Sequence, residues 1–333
     1  MLPNSLPTAL RRLVPILCLG LGGLCSPSAA QGHALGMTVL QTDAQPAHAE
    51  FVRQLQDAQA PGARFALVRL GAGESAQGPE DESANAGVRT RSLRAGAAAE
   101  SITVAVGAGA ARAALERTGS EPLLLAMLSR LDYESLKSSS AMRRPDRRVG
   151  VLLRDPAMVD QLALVDVVLP GKRRLGVVAT GESEPLLREL QRAAQGWDLQ
   201  IEYAPDARSL AAALKTVLPR SDALLVLPDL IGDDQAATLA VLRAAATAGV
   251  PVFGASDGLV RSGGLAAAVS TPVLLARQAR TLGQKVAAGG GSGSPMVEAA
   301  TPATVRVNLT VARALGLRLP DERELTERVT AAR

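Results

Sequence analysis

Aromatic residues, cysteine, histidine and lysine are all scarce in this sequence. Six of its 333 residues are aromatic: Phe51, Phe65, Tyr133, Trp197, Tyr203 and Phe253. So few rings leave little for stacking under sugars or nucleobases, which disfavours a carbohydrate ligand. Cys18 and Cys25 alone cannot build a disulfide scaffold. With only His33 and His48 beside them, the donors for a transition-metal site are too few, and no carboxylate cluster resembles a calcium loop. Lysine occurs at Lys137, Lys172, Lys215 and Lys285 only, so the basic side chains are mostly arginine. Their short runs (Arg143-Arg144, Arg147-Arg148, Lys172-Arg173-Arg174) alternate with apolar strands and have no aromatic neighbours. That is the pattern of solvated strand and loop ends, and it excludes a nucleic-acid face.

What is present is a folded chain. The hydrophobic share is 47%, the charged share 20% and the formal charge +4, values outside the disordered range. The length fits two domains of about 150 residues each. Residues 1–30 read as a cleavable secretory signal. Arg11-Arg12 precede the apolar run 13–24, and Ser28 and Ala30 are small residues at the two positions a cleavage site requires. That run is too short to span a bilayer, which takes about 20 residues. Leu24 stands before Cys25 where a lipoprotein signal needs a small residue. Cleavage after Ala30 lowers the charge to +2 and removes both cysteines. The expected location is outside the cytoplasmic membrane.

Beyond the signal, apolar strands alternate with amphipathic helices. Strands are expected at 37–40, 65–70, 101–106 and 123–128, with helices at 46–58 and 108–118. Residues 71–98 are rich in Gly, Ser, Glu and Arg and show little apolar periodicity. A second series has strands at 149–153, 175–179, 199–203, 223–227, 252–254 and 265–269. Its helices fall at 159–169, 184–195, 207–218, 235–248 and 272–288. The segment 288–295 reads as a flexible connector, followed by a last strand at 304–308 and helices at 309–315 and 321–331. Such alternation implies parallel sheets with helices on both faces. The expected fold class is therefore α/β, with two doubly wound parallel-sheet lobes that meet near residues 140–155.

Open parallel sheets bind ligands beyond the carboxyl ends of their strands. That rule selects Gln41-Thr42-Asp43, Gly107-Ala108, Pro228-Asp229 and Gly254-Ala-Ser256-Asp257-Gly258. Gly107-Ala-Gly-Ala-Ala-Arg112 nearly matches the dinucleotide fingerprint. Arg112 replaces its third glycine, and the first strand turn of the chain lacks the motif, so no cofactor is expected. Gly254-Ala-Ser-Asp-Gly258 matches a nucleophile elbow in letters. No histidine follows the serine, so an enzyme is not expected, and Ser256 or Asp257 reads better as the cap of a short helix. Asp229 has two readings, a helix cap or a carboxylate for a ligand amine. Asp233-Asp234 read as first-turn residues of helix 235–248.

From Gln161 to Arg328 the chain resembles the periplasmic substrate-binding proteins of ABC importers, and within them the amino-acid-binding family with a type I fold. The resemblance rests on Gln161-Leu-Ala-Leu-Val165, Arg173-Arg-Leu-Gly-Val177 and Ser221-Asp-Ala-Leu-Leu-Val-Leu-Pro-Asp229. It continues through Val250-Pro-Val-Phe-Gly-Ala-Ser-Asp257, Ser262-Gly-Gly-Leu-Ala-Ala267 and Val307-Asn-Leu-Thr-Val-Ala-Arg-Ala-Leu-Gly-Leu317. It implies that the ligand-contacting loops fall on Gln41, Gly107, Ala108, Asp229, Ser256 and Asp257, with Thr42 beside Gln41. It further implies lobes of 31–153 with 271–290 and of 154–270 with 300–333, joined by a multi-strand hinge near 153–156, 269–272 and 290–304. The implied protein is a monomer that closes on a small polar ligand and hands it to an ABC permease or another periplasmic uptake component. The N-terminal half matches less well: 71–98 departs from the family's second helix, and Ser129-Arg130 stands where Asp-Pro is common. An accessory or sensory periplasmic protein of the same fold is the alternative. A repressor of this fold would carry a DNA-binding module where this chain has its signal.

Overall fold

The computed structural model describes residues 35–43, 45–70, 101–301 and 304–332. The signal, both cysteines, His33 and the stretch 71–98 lie outside the described residues.

The first sheet begins with β1 (Gly36–Gln41), followed by α1 (Pro46–Asp57) and β2 (Phe65–Arg69). It continues through β3 (Ser101–Val106), α2 (Gly107–Glu116), β4 (Leu123–Leu128), α3 (Arg130–Lys137) and β5 (Val149–Pro156). The second sheet takes β6 (Arg174–Ala179), β7 (Asp198–Tyr203), β8 (Ala223–Val226), β9 (Val252–Gly254) and β10 (Ala266–Val269). Its helices are α4 (Met158–Val168), α5 (Glu184–Ala193), α6 (Ala207–Val217), α7 (Leu230–Asp233), α8 (Gln235–Ala248) and α9 (Asp257–Arg261). The chain then returns to the first sheet through α10 (Pro272–Ala287) and β11 (Met296–Ala300). It ends beside the second with β12 (Thr304–Val307), α11 (Leu309–Ala314) and α12 (Glu322–Ala331).

Among the described residues both sheets have six strands, in the orders β11-β5-β4-β3-β1-β2 and β12-β10-β9-β8-β6-β7. Pairing is parallel throughout except for β12, which runs antiparallel to β10. The chain reaches β12 from β11 of the first sheet and not by a crossover helix from β10. A parallel neighbour needs a long crossover, whereas an edge strand reached directly can run the other way.

Three differences from the sequence reading stand out. Helix α3 was not expected, although Ser129 and Asp132 form a capping box at its start. Strand β11 was not expected either, and it keeps the chain on the first sheet until Ala300, past the lobe end set at 290. Its sequence, Met-Val-Glu-Ala-Ala, has weak strand character and is held by its register against β5. Finally, Arg173 does have an aromatic neighbour, since its guanidinium lies 5.1 Å from the centre of the Trp197 ring.

Alternation along the strands explains the layers. In β3, Ile102, Val104 and Val106 face α1 and α10, while Ala105 faces α2 and α3. Alanines 110, 111 and 114, all fully buried, let α2 lie close on the sheet. Phe51 and Phe253 are fully buried, one beneath each sheet, each worth about 2–3 kcal/mol of apolar burial. In α5 the stripe Leu186, Leu187 and Leu190 is buried against the second core. Among the described residues, no helix is long and apolar enough to cross a membrane.

Candidate functional site

The carboxyl ends of the strands in both sheets open on one cavity of about 480 Å³, a size that holds a small organic molecule. The first sheet lines it with Met127, Arg154 and Asp155, and α1 adds Ala47. The second contributes the segment around Pro228, Asp233 from α7, Ser256 and Asp257 from α9, and Arg306 from β12. Ser270 and Thr271, in the crossing between β10 and α10, line it as well.

Backbone strain marks this site. Met127 has φ of 61°, and the pairing of β4 with β5 shifts register between Ala126 and Leu128. The left-handed region is costly for a residue with a side chain. The bulge turns Met127 toward the cavity while Ala126 and Leu128 remain in the sheet.

Strand β5 delivers the charged pair at its end. The Arg154 guanidinium lies 3.5 Å from Asp155 Oδ1 through Nε and 3.4 Å from Asp233 Oδ2 through a terminal nitrogen. Asp155 also accepts the Arg130 N–H at 3.1 Å, and its side chain is 13% exposed. Burial pushes its carboxyl up to about 6. Arg154 and the Arg130 N–H oppose that shift, and the negative charges of Asp233 and Asp132 add to it.

On the facing wall, Ser256 caps α9 by accepting the Leu259 N–H at 3.1 Å. Asp257, in the first turn, pairs with Arg261 one turn on and lies 3.7 Å from Arg306. Arg306 is held more tightly by Glu322, at 2.8 Å. The same carboxylate accepts the Val307 N–H at 3.1 Å.

The other residues selected from the sequence sit elsewhere. Gln41 is buried at the end of β1, where its carbonyl accepts the Leu70 N–H at 2.9 Å. Thr42 packs against Gly109, where a Cβ would fall 2.5 Å from the Thr42 hydroxyl. Gly107 has φ of 82°, and a Cβ there would meet His48 Cε1 at 2.6 Å. His48 in turn bonds Asp43 at 2.7 Å. The small residues from 107 to 109 are therefore required by close packing of α2 on the loop after β1. Gln41, Thr42, Gly107 and Ala108 form one cluster at the strand ends of the first sheet, outside the cavity lining.

Asp229 resolves as a cap. It is 1% exposed and accepts the N–H groups of Ile231 (3.0 Å) and Gly232 (3.2 Å). The buried Ser183 hydroxyl donates to its other oxygen. Burial raises its carboxyl above the usual range against the pull of those three donors. It lies beneath the cavity wall, not in it. Asp234 is the cap of α8, through the Ala237 N–H at 2.6 Å. Asp233 belongs to α7 and faces Arg154 across the cavity, which corrects its reading as a first-turn residue of helix 235–248. Arg154, Asp155, Ser270 and Arg306 were not singled out. The strand-end rule applied to β5 would have found the first two, because Arg154-Asp155 follow directly on its apolar run. Met127 carries no sequence signal.

The chain matches the family model for ABC transporter substrate binding proteins over residues 85–327. Among curated proteins none matches it. Solved structures share its fold at low identity. A substrate binding protein with adhesive properties from Clostridium difficile, in its ligand-free open form, is 18% identical with a TM-score of 0.63, covering 86% of this chain and 96% of its own. A conserved domain protein from Vibrio cholerae is 20% identical with a TM-score of 0.55, covering 89% and 98%. An ABC domain from Streptococcus pneumonia in complex with L-Trp is 16% identical with a TM-score of 0.54, covering 89% and 98%.

Proposed function

We infer, for a chain that belongs to the ABC transporter substrate binding protein family, that it is the periplasmic receptor of an importer and captures a small polar ligand between its two sheets. The observation that carries this reading is the cavity, lined from both sheets and by a crossing between them. Three segments cross between the sheets: 156–158, 269–272 and 300–304. They serve as the hinge, so the lobes close as a ligand bridges them. Ser256 and Asp257 meet the ligand from the second lobe. Closure brings Gln41, Thr42, Gly107 and Ala108 onto it from the first, and Asp229 supports the wall from beneath. Closure follows only if the ligand binds the closed form better than the open one.

An amino-acid-like ligand is favoured. The walls carry both signs of charge, and a protein of the same fold from Streptococcus pneumonia is described in complex with L-Trp. Export by the signal at 1–30 places the mature chain, a monomer without a catalytic role, beside an inner-membrane permease or another periplasmic uptake component. Native mass spectrometry of freshly purified protein, paired with thermal-shift screening against amino acids and small organic ions, tests the reading. A co-purified small molecule, or a shift with one class of solute, is expected. No bound mass and no shift across the panel would favour the accessory role.

A further inference from the structure

Two arginines line the cavity, and they differ in how fully they are engaged. Arg306 is neutralised by Glu322 at 2.8 Å and approached by Asp257 at 3.7 Å. Among the described residues Arg154 has two long ion-pair contacts, 3.5 Å to its neighbour Asp155 and 3.4 Å to Asp233. An arginine well held on this protein's surface looks different. Arg174 meets Asp222 with two guanidinium bonds at 2.9 and 3.3 Å. A guanidinium has five N–H donors in a planar fork and bonds an oxyanion best at about 2.7–2.9 Å. Arg154 is therefore under-used where it stands.

Its position adds to this. Arg154 comes from the first sheet and Asp233 from α7 beside the second, so the pair spans the cavity. Asp233 is 61% exposed, so losing this partner returns it to water at little cost. Ser270 lines the same cavity, and its hydroxyl is buried with no hydrogen-bond partner among the described residues. A buried polar group without a partner is uncommon and calls for an explanation. A donor of this kind lining the same cavity as a loosely held guanidinium suits an oxyanion.

We propose that Arg154 is the specificity residue that takes the anionic group of the ligand, exchanging Asp233 for it, with the Ser270 hydroxyl as a second donor. This rests on the receptor reading above. Asp233 acts as an internal competitor. It keeps Arg154 from binding any passing anion and is displaced by one that fits the fork.

The test is isothermal titration of the purified chain with a panel of protein amino acids, short dicarboxylic acids, sugar acids and neutral sugars. Each acid that binds is repeated as its methyl ester. The variants are Arg154→Met, Arg154→Lys, Asp233→Asn and Ser270→Ala, each checked for a native unfolding transition. Arg154→Met is expected to weaken an acid ligand about 10- to 100-fold and to leave its ester unchanged. Arg154→Lys, which keeps the charge without the fork, falls between. Asp233→Asn, which removes the competitor, tightens the acid up to about fivefold, and Ser270→Ala weakens it severalfold. Equal binding of acid and ester, equal binding by Arg154→Met, or binding of neutral sugars alone would overturn the assignment while the receptor reading stands. Binding of nothing in the panel by the parent chain would remove both.

Discussion

Asp155 sits at the end of β5 with its side chain 13% exposed and its carboxyl raised to about 6. In the unfolded chain the same group titrates near 3.8. The folded protein therefore binds a proton that the unfolded chain has already lost between those values. Stability from this group is fully present below about pH 4 and is lost as pH rises through 6. The difference of about two pKa units amounts to about 3 kcal/mol at pH 7.5. Replacing the carboxyl by an amide removes the cost of burying the charge and keeps an acceptor for the Arg130 N–H. Asp155→Asn should therefore raise unfolding free energy by about 3 kcal/mol at pH 7.5 and by only about 1 kcal/mol at pH 4.5. Urea denaturation at both pH values, on parent and variant, reads this directly. The groups facing Asp155 are Arg154, the Arg130 N–H, Asp233 and Asp132. If Arg154 outweighed burial, the variant would be less stable at pH 7.5. A gain equal at both pH values, or a loss at the higher one, would refute the reasoning.

The remaining predictions concern the supports of the site. Gly107→Ala places a Cβ against His48 at a φ of 82°, and should cost about 1–3 kcal/mol. In urea denaturation, adding His48→Ala should recover only the part due to contact and not the part due to φ. Asp229→Ala strands the Ile231 and Gly232 N–H groups and the buried Ser183 hydroxyl. It should cost about 2–4 kcal/mol by the same measurement. The Glu189 carboxylate joins α5 to α3 through Arg130 at 2.8 Å and to the start of α4 through the Met158 N–H at 3.1 Å. Glu189→Ala should cost about 1–3 kcal/mol, and Glu189→Gln, which keeps an acceptor for Met158, should cost less.

Much of the architecture was legible because burial writes a period into the chain. The run Leu-Leu-Leu-Ala-Met-Leu from Leu123 reads as a strand covered on both faces, and every residue of β4 is buried. Helix α8 was placed at both ends, since Asp234 begins it and Gly249, with φ of 67°, ends it. The elements that escaped lack such periods. Helix α3 buries only Leu136 and is identified by its cap and not by an apolar face. Strand β11 has Glu298 on one face and only Val297 and Ala299 on the other, and what holds it is its neighbour β5. No window of the sequence contains that neighbour.

The site was less legible for a related reason. The strand-end rule names loops but does not say which side chain in a loop turns outward. Asp229 and Asp233 illustrate this, four residues apart around the short helix α7. The first is drawn under by two backbone N–H groups and a serine from another element, and the second, the last residue of α7, stands across from Arg154. Sequence spacing treats them alike. What separates them is Ser183, which is 46 positions away and was itself unremarked. Arg154 escaped for the opposite reason. It lies in a segment whose expected role was mechanical, as a hinge between lobes. In a receptor that closes on its ligand, hinge and ligand contact need not be separate places. A guanidinium at a crossing strand's end that exchanges one carboxylate for another would link recognition to movement directly. Loss of affinity in Arg154→Met without loss of stability would separate that role from a purely structural one.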